Sequence, residues 1–286
     1  MQTPTNWKEY ELIDSGDGSK LERWGNFILS RPDPQAIWPK DLTEKDWQKA
    51  DGVYTRSSEG VGAWKFKKPL PEKWEIKYGD LKFWVKPTPF KHTGLFPEQA
   101  INWDWLMKKI ADEKRELNIL NLFGYTGGAT VACAKAGAKI CHVDASKGIV
   151  AWAKENLELS GLEKAPVRLI IDDAIKFVDK EIRRGIKYDG IIMDPPSFGR
   201  GAKGEVWKIE ENLFNLVSKC AQTLSDNPVF FMINSYTTGL SPTVSGNILK
   251  SVMRKNGGKV ETDEIGLVEK SSDKILPTGS FSRWSK

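Results

Sequence analysis

The residues best able to do chemistry sit in short clusters at the ends of apolar runs. Gly124-Tyr125-Thr126-Gly127-Gly128 follows Asn118–Phe123, and Asp144-Ala145-Ser146 closes the run that begins at Lys139. Asp172-Asp173 follows Val167–Ile171, Asp194-Pro195-Pro196-Ser197-Phe198 closes Asp189–Asp194, and Ser235-Tyr236 follows Val229–Asn234. Four of the five clusters carry acids or a glycine turn. Carboxylates accept hydrogen bonds from hydroxyls and amines, and glycine lets backbone turn tightly. The glycine turn holds no lysine or arginine. Together these groups suit a ligand with hydroxyls, an amine and a positive centre.

The elements that must position the clusters alternate along the chain. The five apolar runs read as strands. Between and after them lie helix-prone segments at Gly128–Ala136, Lys147–Ser160, Ala174–Arg184, Val206–Leu224 and Pro242–Lys255. Lys259–Leu267 and Ser280–Trp284 read as a closing antiparallel hairpin whose loop ends in Pro277-Thr278-Gly279. Repeated strand–helix units imply an open parallel sheet with helices on both faces. Ligands of such sheets lie outside the carboxyl ends of the strands, so the clusters form one site. Asp144 follows the turn by about 20 residues, where a βαβ unit places a ribose-binding acid.

The turn reads G-x-x-G-G, which departs from the G-x-G-x-x-G spacing that brings amides onto a pyrophosphate. S-adenosylmethionine, a cationic adenosine compound without phosphate, fits better. Asp144 can accept both ribose hydroxyls and Asp173 an adenine amino group. Each residue alone has a plainer use: Gly124 and Gly127 in a strand-to-helix turn, Asp144 and Asp173 as helix caps. Their joint placement favours a ligand.

Asp194-Pro195-Pro196-Ser197-Phe198 has its own logic. Two prolines stiffen the backbone and remove amide donors. The Asp194 carboxylate and Pro195 carbonyl remain as acceptors able to hold a substrate N–H, and Phe198 could stack on an extruded base. A rigid strand exit is the structural alternative. Cys133, Cys141 and Cys220 lie on apolar segments without metal-like spacing and read as reduced core residues. His92 and His142 are too few for a metal site or a histidine-based triad.

Residues 1–88 differ in character. Nine of the twelve tryptophans lie at or before Trp105. Short runs at Trp24–Leu29, Trp64–Lys67, Trp74–Lys77 and Leu81–Val85 are separated by turn signals at Ser15–Gly18, Arg31–Pro34, Glu59-Gly60 and Tyr78-Gly79-Asp80. They predict a small β-barrel or sandwich. Eight lysines between Lys65 and Lys91 interleave with tryptophan. A nucleic-acid surface could be built this way, but a solvated sheet face over a Trp-rich core is the expected reading. The net charge of +5 permits nucleic-acid binding without arguing for it. Long apolar stretches and an apolar N-terminal signal region are absent from the sequence, so a cytoplasmic protein that does not enter the membrane is expected.

Asn121–Gly128, Asp144-Ala145-Ser146, Asp172-Asp173-Ala174 and Asp194–Phe198 resemble the motifs of class I S-adenosylmethionine-dependent methyltransferases. With His92–Gln99, Leu276–Gly279 and Arg283-Trp284, the chain is similar to bacterial 23S ribosomal RNA methyltransferases of the RlmI/RlmK kind over about Phe90 to Trp284. The resemblance implies an α/β, Rossmann-like seven-stranded methyltransferase sheet of order 3-2-1-4-5-7-6 with its seventh strand antiparallel. The methyltransferase domain would span 89–286, behind a small N-terminal β-domain at 1–88. The implied cofactor contacts are Lys91, Thr93, Gln99, Phe123, Gly124, Tyr125, Thr126, Gly127, Asp144, Ala145, Ser146, Asp172, Asp173 and Asp194. Asp194, Pro195 and Phe198 would be catalytic, S-adenosylhomocysteine the product, and structured RNA, above all ribosomal RNA, the partner. Two departures matter. Ser197 and Asn234-Ser235-Tyr236 stand where carbon-5 cytosine enzymes carry cysteine, which favours transfer to nitrogen. The N-terminal region does not read as a PUA domain. The competing readings are a methyltransferase for small molecules or proteins, a nucleotide-cofactor oxidoreductase, and a non-catalytic RNA-binding protein of the same fold.

Overall fold

Turns set the strand boundaries of the N-terminal residues. β1 (Tyr10–Gly16) and β2 (Ser19–Trp24) meet at Asp17 and Gly18, with φ of 48° and 71°. β3 (Phe27–Pro32) follows directly, because Gly25 turns with φ 64°. The run Trp24–Leu29 is therefore not one element but straddles a hairpin. After α1 (Glu44–Trp47), capped at Thr43, come β4 (Gly52–Arg56) and β5 (Gly62–Phe66). These five strands form one sheet in the order β1-β2-β3-β4-β5, in which only β3 and β4 run parallel. β1 and β5 are its edges, so the expected barrel is an open sheet. β6 (Trp74–Tyr78) and β7 (Leu81–Val85) make a separate hairpin at Tyr78-Gly79-Asp80, as read from the sequence. The computed structural model describes residues 1–56, 62–200 and 206–286; the Glu59-Gly60 turn lies outside them.

The second sheet is built from repeated strand–helix units. A short 3-10 turn (Pro97–Gln99) leads into α2 (Ala100–Asp112), then β8 (Asn118–Leu122), α3 (Gly128–Lys135), β9 (Lys139–Asp144) and α4 (Lys147–Leu159). β10 (Val167–Ile171), α5 (Ala174–Arg184) and β11 (Gly190–Met193) continue the series. The chain closes through a small hairpin of β12 (Phe198–Arg200) and β13 (Val206–Lys208), then α6 (Ile209–Ala221), β14 (Phe230–Ser235), α7 (Pro242–Val252), β15 (Lys259–Val268) and β16 (Ile275–Ser285). The strand order β10-β9-β8-β11-β14-β16-β15 is the expected 3-2-1-4-5-7-6, with β16 antiparallel to β14. Residues 206–208 are extended rather than helical, because they pair with β12. Pro277 lies within β16 rather than in a loop. The ladder to β14 covers only Ser280–Ser285, so a residue without an N–H is tolerated there.

Burial explains the central strands. β11 and β14 are buried along their whole length, as a parallel core covered on both faces requires. On one face Leu120, Leu122, Ile191, Met193, Phe231 and Ile233 pack with Phe177 and Val178 of α5 and Leu213, Leu216 and Val217 of α6. α5 shows why such helices form where they do. Asp173 caps its first turn, Ala174, Phe177 and Val178 face inward, and Gly185 ends it with φ 66°.

Contacts group residues 2–101 with 266–278 in one compact unit, and 102–265 with 279–286 and Met1 in another. Residues 89–101 thus group with the N-terminal strands. So does the tip of the β15–β16 hairpin, where Lys270 and Ser271 donate their N–H groups to Leu12 and Ile13 carbonyls at 2.9 and 3.0 Å.

Within that N-terminal unit, Glu22 is fully buried between Arg31 and Tyr10. Arg31 Nε donates to Glu22 at 2.6 Å and Tyr10 Oη also donates to Glu22, at 2.8 Å, while Arg31 Nη1 donates to the Lys91 carbonyl at 3.0 Å. Burial pushes the Glu22 carboxyl up, but Arg31 and then Lys20 outweigh it and hold it at about 2. Glu22→Gln, which strips the partner from a buried guanidinium, is expected to cost about 3–5 kcal/mol in urea unfolding of the N-terminal unit. Because the folded pKa lies below the unfolded value, this contribution is present above about pH 4.5 and fades as pH falls towards about 2. Wild type and variant should therefore converge in that acid range.

Candidate active site

The chain turns as soon as β8 ends. Phe123 and Tyr125 adopt left-handed backbone with φ of 55° and 49°, and Gly127 follows at 86°. Non-glycine residues hold this conformation only when the surroundings impose it, at about 1–3 kcal/mol each. Here the surroundings are specific. Gly124 N–H donates to the Val143 carbonyl at 3.0 Å, and the buried Asn156 side chain donates to the Thr126 carbonyl at 2.8 Å. Tyr125 N–H donates to Asp144 Oδ2 at 3.1 Å, and Ser146 N–H to Asp144 Oδ1 at 2.9 Å. Asp144 therefore ties the turn after the first sheet strand to the end of the second. Its bonds are not those of a helix cap. Ala145 and Ser146 are exposed beside it.

The glycines are required from below. A Cβ on Gly124 would lie 2.4 Å from the His142 ring, and one on Gly128 would lie 2.9 Å from Trp103. His142 is fully buried, and its Nδ1 meets Thr130 Oγ1 at 2.9 Å. Asn121 Nδ2 donates to that hydroxyl at 2.9 Å, so Asn121, Thr130 and His142 form one buried polar chain. Burial pushes the imidazole down to about 4, which keeps it neutral. Sequence reasoning discounted His142 as a ligand or catalytic base and missed this supporting role. β9 is buried on both faces, so alternation carries no signal; the clue was the glycine opposite.

The remaining clusters lie at neighbouring strand ends. Asp172 N–H donates to the Asp144 carbonyl at 3.2 Å, which puts the third strand end beside the second. Asp172 pairs with Lys180 at 2.6 Å, and Asp173 caps α5 through Lys176 N–H at 2.9 Å. Asp173 thus does the structural work foreseen for it, with one oxygen committed. Asp194 is half-buried, Pro195 is buried, and Phe198 is 54% exposed. The Pro196 carbonyl accepts from Trp207 Nε1 at 2.6 Å, and the Trp207 ring lies 6.2 Å from Phe123. Trp207 therefore links the motif after β11 to the turn after β8. Ser197 Oγ meets Thr237 Oγ1 at 2.7 Å.

A buried polar chain underlies the fifth strand end. Arg283 donates to Asn102 Oδ1 from Nε at 2.9 Å and also from Nη2, and Asn102 Nδ2 donates to Asn234 Oδ1 at 2.9 Å. Burial pushes the guanidinium down to about 10. All three cysteines are buried within elements, and burial pushes the Cys141 thiol up to about 11 and the other two higher still. Lys91, Thr93 and Gln99 belong to the N-terminal unit. Lys91 Nζ reaches the Pro32 carbonyl at 3.4 Å, Gln99 is buried, and the buried Thr93 hydroxyl has no hydrogen-bond partner among the described residues.

A parallel sheet of this order, closed by an antiparallel strand and carrying an acid-tied glycine turn, defines the α/β methyltransferase class. Residues 53–217 match the family model of the S-adenosylmethionine-dependent methyltransferases, and the chain belongs to that family. It is 30% identical over 237 residues to the ribosomal RNA large subunit methyltransferase K of Neisseria meningitidis serogroup B, covering 77% of this chain and 64% of that one. It is 30% identical over 218 residues to the methyltransferase K/L of Shewanella frigidimarina, covering 74% of this chain and 28% of that one. The chain thus spans less than two thirds of the length of either relative. The crystal structure of the SAM-dependent methyltransferase from Agrobacterium tumefaciens is similar at TM-score 0.94 and 40% identity, over 99% of this chain and 92% of that one.

Gly124→Ala should destabilise the sheet unit by about 1–3 kcal/mol in thermal unfolding, through overpacking against His142. In a His142→Ala background the same change should cost less, because the two sites couple. Equal costs in both backgrounds would show that the ring is not the obstacle.

Proposed function

We propose that the chain is an S-adenosylmethionine-dependent methyltransferase acting on structured RNA, with ribosomal RNA as the leading substrate. One observation carries the cofactor site: Asp144, at the end of the second sheet strand, is oriented by Tyr125 and Ser146 N–H groups and keeps lone pairs for ribose hydroxyls. Phe123 to Gly127, Ala145 and Ser146 border it, and the second oxygen of Asp173 is available to the adenine amino group. Through the family motif, Lys91, Thr93 and Gln99 of the N-terminal unit are assigned to cofactor binding, and the unpartnered Thr93 hydroxyl supports the assignment. The names of the relatives support the RNA substrate. No helix among the described residues is long and apolar enough to cross a membrane, in keeping with work in the cytoplasm.

The bound cofactor supplies an electrophilic methyl group on sulfur. The protein's part is positioning and exclusion of water. The Asp194 carboxylate and Pro195 carbonyl would accept a target N–H and so fix the orientation of the nitrogen. The exposed Phe198 ring stacks on the extruded base. With the methyl donor bound, Asp194 would take up the proton that the target nitrogen gives up on methylation. Nitrogen is the favoured acceptor because every cysteine is buried with a raised thiol pKa, so none can attack a ring carbon.

Asp144→Asn should weaken S-adenosylhomocysteine binding in calorimetry by about 1.5–3 kcal/mol, the worth of a hydrogen bond to a charged group. Asp194→Ala should abolish transfer of labelled methyl to total RNA. Label appearing on protein or metabolites but not on RNA would overturn the substrate assignment.

A further inference from the structure

Strand β5 breaks a pattern that its neighbours keep. In β6 and β7 the residues Trp74, Ile76, Tyr78, Leu81, Phe83 and Val85 are all buried, with Lys77 and Lys82 alternating between them. That is the solvated face over an aromatic core expected from the sequence. β5 has no buried face: Trp64 is half-buried and Phe66 is 44% exposed. β5 is also an edge of its sheet, where exposed aromatic surface is a liability unless something uses it.

The two rings are held in place without being covered. They lie two residues apart on one side of the strand, with centroids 5.7 Å apart and planes within 7° of parallel. Trp64 Nε1 donates to the Thr88 carbonyl at 2.8 Å, and Tyr54 packs edge-on against the Trp64 ring at 5.4 Å. Phe66 lies over Gly52, where a Cβ would come within 2.8 Å of its ring. From Gly62 to Pro71 the chain carries three lysines and no acid. Lys68 pairs with Asp51 at 3.0 Å, while the exposed Lys65 and Lys67 precede and follow Phe66 in sequence, with Lys65 on the opposite face of the strand from the two rings.

We propose that β5 is a contact strip for unpaired nucleotides of RNA, with Trp64 and Phe66 stacking bases and Lys65 and Lys67 meeting phosphates. This rests on the RNA substrate proposed above and adds a surface outside the strand-end cluster. Aromatic stacking tolerates any base, so the strip contributes affinity and leaves the choice of methylated atom to the strand ends. Edge-to-edge pairing with a second copy is less suited to the surface, because it would bring rows of lysine together.

The test titrates the whole protein into a short, unstructured, fluorescently labelled RNA and reads anisotropy over a range of salt. Trp64→Ala with Phe66→Ala should weaken binding roughly tenfold or more, and Trp64→Phe with Phe66→Tyr should restore it to within about threefold. Lys65→Glu with Lys67→Glu should weaken binding and lower the salt slope by about one to two. This pair leaves the rings in place and keeps the test decisive if the alanine pair fails to fold. Wild-type affinity in the alanine and glutamate variants would overturn the strip while sparing the RNA substrate. A wild-type protein that does not bind this RNA would overturn the strip, and one that in addition transfers no labelled methyl to total RNA would overturn the RNA substrate as well. A dimer in sedimentation that the alanine pair dissolves, with RNA affinity unchanged, would assign the strip to a second copy instead.

Discussion

The sheet unit depends on the close approach of a backbone to a buried ring. Gly124 sits on His142 with no room for a side chain between them. The imidazole is held neutral by burial and aligned by Thr130, which Asn121 aligns in turn. Three elements, β8, α3 and β9, therefore meet in one hydrogen-bonded chain under the turn. With the floor rigid, the left-handed residues Phe123 and Tyr125 can be kept in place, and the Tyr125 amide can point at Asp144. The carboxylate, the proposed ribose contact, is thus oriented before any ligand arrives. Such preorganisation spares a ligand the ordering cost of binding.

A similar economy joins the other strand ends. Trp207 donates to the carbonyl inside the proline pair and reaches Phe123. Arg283 and Asn102 support Asn234 from beneath. None of these residues needs to touch a ligand to matter: Trp207 packs near Phe123, which is assigned to the cofactor, and Arg283 and Asn102 hold the end of β14. Asp173 has room for its cap and for the proposed adenine contact: the cap uses one carboxylate oxygen and leaves the other.

Much of the fold was legible because the central strands are long apolar runs ended by glycine or acid. The strand–helix alternation, the helices after Gly127 and Asp173, and the hairpin at Gly79 follow from local chemistry, whereas the sheet order was implied by the family resemblance. What stayed hidden depends on distant partners. Val206–Lys208 reads as helix until its pairing with β12 is known. Pro277 reads as loop until the β14 ladder is seen to stop at Ser280. The tip at 266–278 groups with β1 only through backbone bonds to Leu12 and Ile13. At the site, Asp144 and the turn were readable from spacing, whereas His142, Asn156, Trp207 and Asn102 act through contacts that no spacing encodes.

The central claim is that the turn and Asp144 together seat an adenosine ligand. A crystal structure of the protein soaked with S-adenosylhomocysteine tests it most directly. Ribose hydroxyls are expected within hydrogen-bond distance of both Asp144 oxygens, with the Tyr125 and Ser146 amide bonds retained. A ligand bound away from Asp144, or a turn that abandons the Tyr125–Asp144 bond to admit it, would contradict the account.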